Sequence, residues 1–180
     1  MRWQELFADL EGQLESEAAR GFELEIADRI RRERAEVALG ERLAASAGRR
    51  LQLRIRGAGD VAGDLADVGR DWLLLETGRR SAVVPFGALL AVSGCEERSE
   101  QLPNVARRFG LGYALRVLSR DRAVVRLLDV DGRSVAGTPD RVGSDHLDLA
   151  QHPADVPRRR GNVTDRLVVP FSAIAVVWSR

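Results

Sequence analysis

The sequence contains no lysine, a single cysteine, one methionine, one tyrosine and two histidines. Without lysine, all 28 basic residues are arginine, and 27 acidic residues leave a net charge of +1. That near-balance removes any global electrostatic case for nucleic-acid binding. High-GC codon usage, which also favours alanine, glycine and valine, accounts for the arginine bias, although arginine suits bidentate phosphate contact better than lysine does. With Cys95 alone, the chain can form neither an internal disulfide nor a thiolate metal cluster, which fits a reducing compartment. His146 and His152 would need carboxylates beside them to hold a metal, so no metal and no cofactor is expected. No stretch approaches the roughly 18–20 apolar residues of a membrane span. Residues 1–14 mix charged and apolar side chains, unlike a signal peptide. The expectation is a cytoplasmic chain with no membrane partner and no identified small-molecule substrate.

What the chain does have is an internal repeat. Residues 61–75, VAGDLADVGRDWLLL, match 135–149, VAGTPDRVGSDHLDL, at 8 of 15 positions. A second block, 83–92, VVPFGALLAV, matches 168–177, VVPFSAIAVV, at 6 of 10. The offset grows from 74 to 85, so the second copy carries an 11-residue insertion within 151–165. Duplication of this kind sets the architecture before any local reading does.

Within each copy the periodicity is that of short strands. Leu51, Leu53 and Ile55 alternate with Gln52, Arg54 and Arg56. Hairpin signals follow at 57–60 and at Asp131-Gly132. Gly63 and Gly137 fall inside strands, where glycine marks a bend or a close backbone approach. Further strands are expected at 72–76, 81–85 and 88–93, and at 146–150, 167–170 and 173–178. Pro85 and Pro170 end theirs. Five short bent strands per copy predict two small barrels, with Val61/Val135, Leu73/Leu147 and Val83/Val168 at equivalent inward positions.

A helix is expected before each unit. Val105, Phe109, Leu111, Leu115 and Leu118 recur at helical spacing before the second. Before the first, Trp3, Phe7, Leu10, Leu14, Ala18, Phe22, Ile26, Ile30 and Val37 form a longer stripe. That stripe would brace the chain's own barrels or, as a coiled arm, pair with another chain. Trp3, Phe7, Leu10, Leu14, Ile26 and Ile30 are the expected oligomer contacts.

The pattern Gly-x-Val-x-Gly-x-Leu-x-x-Val-Gly-x-Asp-x-Leu-x-Leu at 59–75, followed by Val-Val-Pro-Phe at 83–86 and copied at 132–149 and 168–171, resembles the Sm-like family of small barrels. It is also similar to the C-terminal barrel of the RimP ribosome maturation factors. The resemblance covers roughly half the chain. It implies an SH3-like barrel fold and a non-catalytic role in assembly or RNA binding, the RNA contacts lying in loops after the second and fourth strands. At the latter positions this chain has Phe86-Gly87 and Phe171-Ser172.

The expected fold is therefore α+β, mainly β: two tandem Sm-like five-stranded barrels, each preceded by a helix, with a long N-terminal helical arm. The expected division is 1–47 for the arm, 48–95 for the first barrel, 96–120 for a connecting helix and 121–180 for the second barrel. The expected function is non-catalytic binding and assembly, as a homo-oligomer or with a protein partner, and with RNA as a further partner. A DNA-associated regulator is one alternative; a hydrolase using Asp71 or Asp145 is another, although aspartate after a turn glycine usually caps the turn. Arg158, Arg159 and Arg160, in the insertion, are the expected nucleic-acid contacts, since a protruding arginine loop attracts phosphate without reading sequence.

Overall fold

The computed structural model describes residues 22, 25, 29, 31, 35–156 and 158–180. They fall into two units, 1–38 and 39–180. In the first unit Phe22, Glu25, Arg29, Arg31, Ala35 and Glu36 are helical. The proposed oligomer contacts Trp3, Phe7, Leu10, Leu14, Ile26 and Ile30 lie outside the described residues.

The second unit begins with a six-residue helix, α1 (Leu39–Ala44), followed by β1 (Arg50–Ile55), β2 (Gly59–Val68), β3 (Trp72–Thr77), β4 (Arg80–Pro85) and β5 (Leu89–Ser93). Helices α2 (Asn104–Arg108) and α3 (Leu111–Arg120) lead into β6 (Val125–Asp129), β7 (Ser134–Val142), β8 (His146–Gln151), β9 (Asp165–Pro170) and β10 (Ile174–Ser179). Among the described residues no helix is long and apolar enough to cross a membrane.

The strands are those the repeat predicts, but their arrangement corrects the expected fold. They form one antiparallel sheet of ten strands, in the order β5-β1-β2-β3-β4-β10-β6-β7-β8-β9, rather than two closed barrels. Each copy has the same internal order, with its fifth strand beside its first. Neither copy closes by pairing its fourth strand with its fifth. Instead β4 pairs with β10, placing Val83 opposite Val177, Ala82 opposite Trp178 and Ser81 opposite Ser179. That pairing satisfies two strand edges at once. Most of the expected N-terminal helical arm lies outside the described residues; in the second unit the helices are α1, α2 and α3, and only α3 exceeds six residues. The expected connecting helix is broken in two. Phe109 and Gly110 adopt extended backbone between α2 and α3, and a Cβ on Gly110 would lie 2.9 Å from an Arg70 guanidinium nitrogen.

Local chemistry explains the shared bends. A Cβ on Gly63 would lie 2.6 Å from the Glu76 carbonyl oxygen, and one on Gly137 2.3 Å from that of Ala150, so glycine lets β2 and β7 fold over their neighbours. The ladders shift register at matching places, between Leu65 and Asp67 and between Pro139 and Arg141, which adds twist. Two apolar clusters result and they interlock. The first, around Leu51, Leu53, Leu65, Leu73 and Leu75, takes Ala175 and Val176 from β10. The second, around Leu115, Leu127, Leu147 and Leu149, takes Trp72 and Val83 from the first copy.

Candidate functional site

The two copies use one turn differently. The Gly69 N–H donates to the Trp72 carbonyl at 2.9 Å, and Gly143 does the same to His146. Each aromatic ring lies so close over its glycine that a Cβ would be 2.1 Å from Trp72 Nε1, or 2.4 Å from His146 Cε1. In the first copy this turn grips the connecting segment. Trp72 Nε1–H donates to the Phe109 carbonyl at 3.0 Å, and Asp71 Oδ1 accepts the Leu111 N–H at 2.7 Å, satisfying a free donor at the start of α3. In the second copy the Asp145 carboxylate caps no helix: His146 Nδ1 lies 2.8 Å from its Oδ1, and the aspartate side chain is 86% exposed. That hydrogen bond from His146 holds the Asp145 carboxyl below the usual carboxylate range. The carboxylates considered for acid–base work therefore stand with different partners, Asp71 at a helix start and Asp145 beside a half-buried imidazole.

The sheet edges differ in the same way. Val83 on β4 is 4% exposed, whereas Val168, its equivalent on β9, is 67% exposed. The expected equivalence of these two as inward residues is thus overturned, because β10 covers one and no strand among the described residues covers the other. Ala175 on β10 is fully buried, while its equivalent Leu90 on β5 is 55% exposed. Both ends of the sheet present an apolar side chain from a strand that, among the described residues, is paired on one side only.

The insertion is anchored at its stem. His152 is buried, its Nδ1–H donates to the Pro153 carbonyl at 2.8 Å, and its Nε2 lies 2.9 Å from the Thr138 hydroxyl, which donates to it when the ring is neutral. Arg158, one of the expected nucleic-acid contacts, forms a two-pronged pair with Asp140 at 2.5 and 2.6 Å, which raises its pKa further. Arg159 and Arg160 are exposed. Beside the loop lies a groove of about 800 Å³ that brings Arg120, Arg122, Arg141 and Arg166 together with Arg158, against only Asp140 and Asp148. Sequence reasoning missed Arg120, Arg122, Arg141 and Arg166, which come from the end of α3, the turn after it, β7 and β9. Arg122 also holds a left-handed backbone, φ 51°, past the end of α3.

Among the described residues no three His, Cys, Asp or Glu side chains converge on a metal-sized site. Cys95 is partly buried against the first cluster. Comparison with protein-family models and with curated proteins finds no match to this chain.

Proposed function

We propose that this protein is a non-catalytic assembly module that works through protein contacts at the ends of its sheet. The observation that carries this reading is the pair of end strands, β5 and β9, each without a partner on its outer side among the described residues and each displaying an apolar residue whose repeat equivalent is buried at the β4–β10 junction. Edge strands in monomeric proteins are normally shortened, charged or covered, because their free N–H and C=O groups template pairing. Here the Leu-Val-Val-Pro of β9 remains as apolar as the Ala-Val-Val-Pro of β4. Strand addition at such an edge supplies main-chain hydrogen bonds, with side chains setting the register.

The arginine groove supports a second reading, contact with RNA or another phosphate-bearing polymer. No aromatic side chain lines it, so such contact would be sequence-blind and salt-dependent. Two experiments test these readings. Extract from the native host is passed over immobilised wild-type protein and over Leu90→Arg and Val168→Arg variants; the assembly reading expects retained protein to be lost with the variants, and equal retention would contradict it. Binding of RNA and of DNA is then measured across salt concentrations. A slope that falls by about one unit in Arg166→Ala would favour the second reading.

A further inference from the structure

The second copy carries a groove that the duplication did not supply. Its lining comes from α3, the turn after α3, β7, β8, β9 and the insertion, and it sets five arginines against Asp140 and Asp148. In the first copy the residues aligned with Thr138, Asp140, Arg141 and Arg166 are Asp64, Ala66, Asp67 and Ser81, and Arg158 has no counterpart. The same strands thus present acid in one copy and arginine in the other. Packing does not call for that reversal, because Asp67 and Arg141 are both exposed.

Two of the five arginines are occupied: Arg158 is held by Asp140, and Arg120 lies 3.5 Å from Asp121. Arg122, Arg141 and Arg166 make no side-chain hydrogen bond or ion pair with a described residue. The lining therefore carries a positive charge that no neighbouring carboxylate balances, and like charges gathered in this way cost stability unless an anion joins them. Arg122 adds a second cost. It is the one non-glycine residue among those described with a left-handed backbone, φ 51°, whereas the helix-to-strand connection of the first copy takes that step at Gly48, φ 76°. Residues held in this strained region cluster at ligand-binding sites.

We propose that this groove binds a diphosphate group, as the free anion or as part of a small molecule. A carboxylate offers two oxygens in one plane and suits a single guanidinium fork, whereas a phosphate accepts from several arginines carried on different elements. Arg158 and Arg166 also line a neighbouring cavity of about 550 Å³ that holds Arg160. The shared pair thus stands between two spaces and is placed to hold two linked phosphates rather than one. The groove's volume of about 800 Å³ is that of a small-ligand site, and its lining has no aromatic ring on which the bases of a polymer would stack. Arg158 exchanges the Asp140 carboxylate for a phosphate, since both accept the same fork, while buried His152 keeps the stem of the insertion in place through Thr138. This inference is independent of the assembly reading and narrows the second reading above, with which it shares the groove.

Isothermal titration calorimetry of the full chain with pyrophosphate and ADP, and with orthophosphate and AMP as their one-phosphate counterparts, tests the proposal. Melting temperatures report whether each variant folds. The expected result is one pyrophosphate per chain, bound about tenfold or more tightly than orthophosphate. Arg166→Ala and Arg122→Gly should each weaken pyrophosphate about tenfold, while Arg159→Ala, outside both cavities, should not. Arg122→Gly should do so without lowering the melting temperature, because glycine adopts the left-handed backbone freely. ADP preferred to AMP by a similar factor would support the proposal with a nucleotide as one source of the group; pyrophosphate bound with ADP rejected would support it with the free anion. No binding of pyrophosphate at millimolar concentration would overturn it, as would equal affinity for pyrophosphate and orthophosphate, or full affinity in folded Arg166→Ala. If RNA binds through these arginines and pyrophosphate does not, the second reading stands and this inference falls. If neither binds, both fall and the assembly reading is untouched.

Discussion

Val83 and Val168 occupy the same position in two copies of one unit, within the same Val-Val-Pro-Phe sequence, yet one is buried and the other is among the most exposed apolar residues described. The same contrast separates Asp71 from Asp145 and Ala175 from Leu90. In each pair the local backbone is alike and only the neighbouring unit differs. Burial at these positions is therefore a property of the junction, not of the strand that carries the residue.

The strongest way to break this comparison is at the turn. Trp72→Ala removes a ring packed between the copies and should cost about 3–5 kcal/mol in urea unfolding, whereas His146→Ala should change stability by less than about 0.5 kcal/mol. Similar losses for both would mean that the copies do not share a core. Val83→Lys places an unpaired charge inside the second cluster and should cost roughly 3 kcal/mol, while Val168→Lys in dilute solution should be nearly neutral. A smaller effect should come from the cap. Asp71→Ala should cost about 1 kcal/mol, while Asp145→Ala should cost the isolated chain far less, only its exposed contact with His146 being lost.

The smallest effect lies in acid. Because His146 lowers the folded-state pKa of Asp145 below the ordinary value of 3.8, its contribution is present above that value and lost as pH falls through the lowered one. Nuclear magnetic resonance titration should place the Asp145 carboxyl below an ordinary aspartate in wild type. In His146→Ala it should return to the ordinary value.

The strands were legible because their signals are local. Alternation at 51–55 and the prolines at 85 and 170 helped to place β1, β3, β4, β5, β8, β9 and β10 within two residues of their observed limits, while β2, β6 and β7 were given no limits. The sheet order was not legible, since identical Val-Val-Pro-Phe segments give no hint that β4 meets β10 while β9 meets no described strand beyond β8. The equivalence of α1 and α3 was present as Leu-Gly-x-x-Leu at 39–43 and 111–115, too short a match to stand out without the packing of Gly40 on Phe86 and of Gly112 on Phe171. The arginine triplet at 158–160 drew attention as a run, but its first member is taken by Asp140. The groove's other cations are scattered through the sequence, so only the folded sheet assembles them.

The central claim, that the copies share one sheet whose two end strands are paired on one side only, is tested most directly by residue-resolved amide hydrogen exchange in dilute protein. The account predicts strong protection on both sides of β4 and β10. On β5 and β9 it predicts fast exchange at the amides that do not bond β1 and β8. Equal protection of β4 and β9 would contradict it, because it would mean that each copy closes on itself.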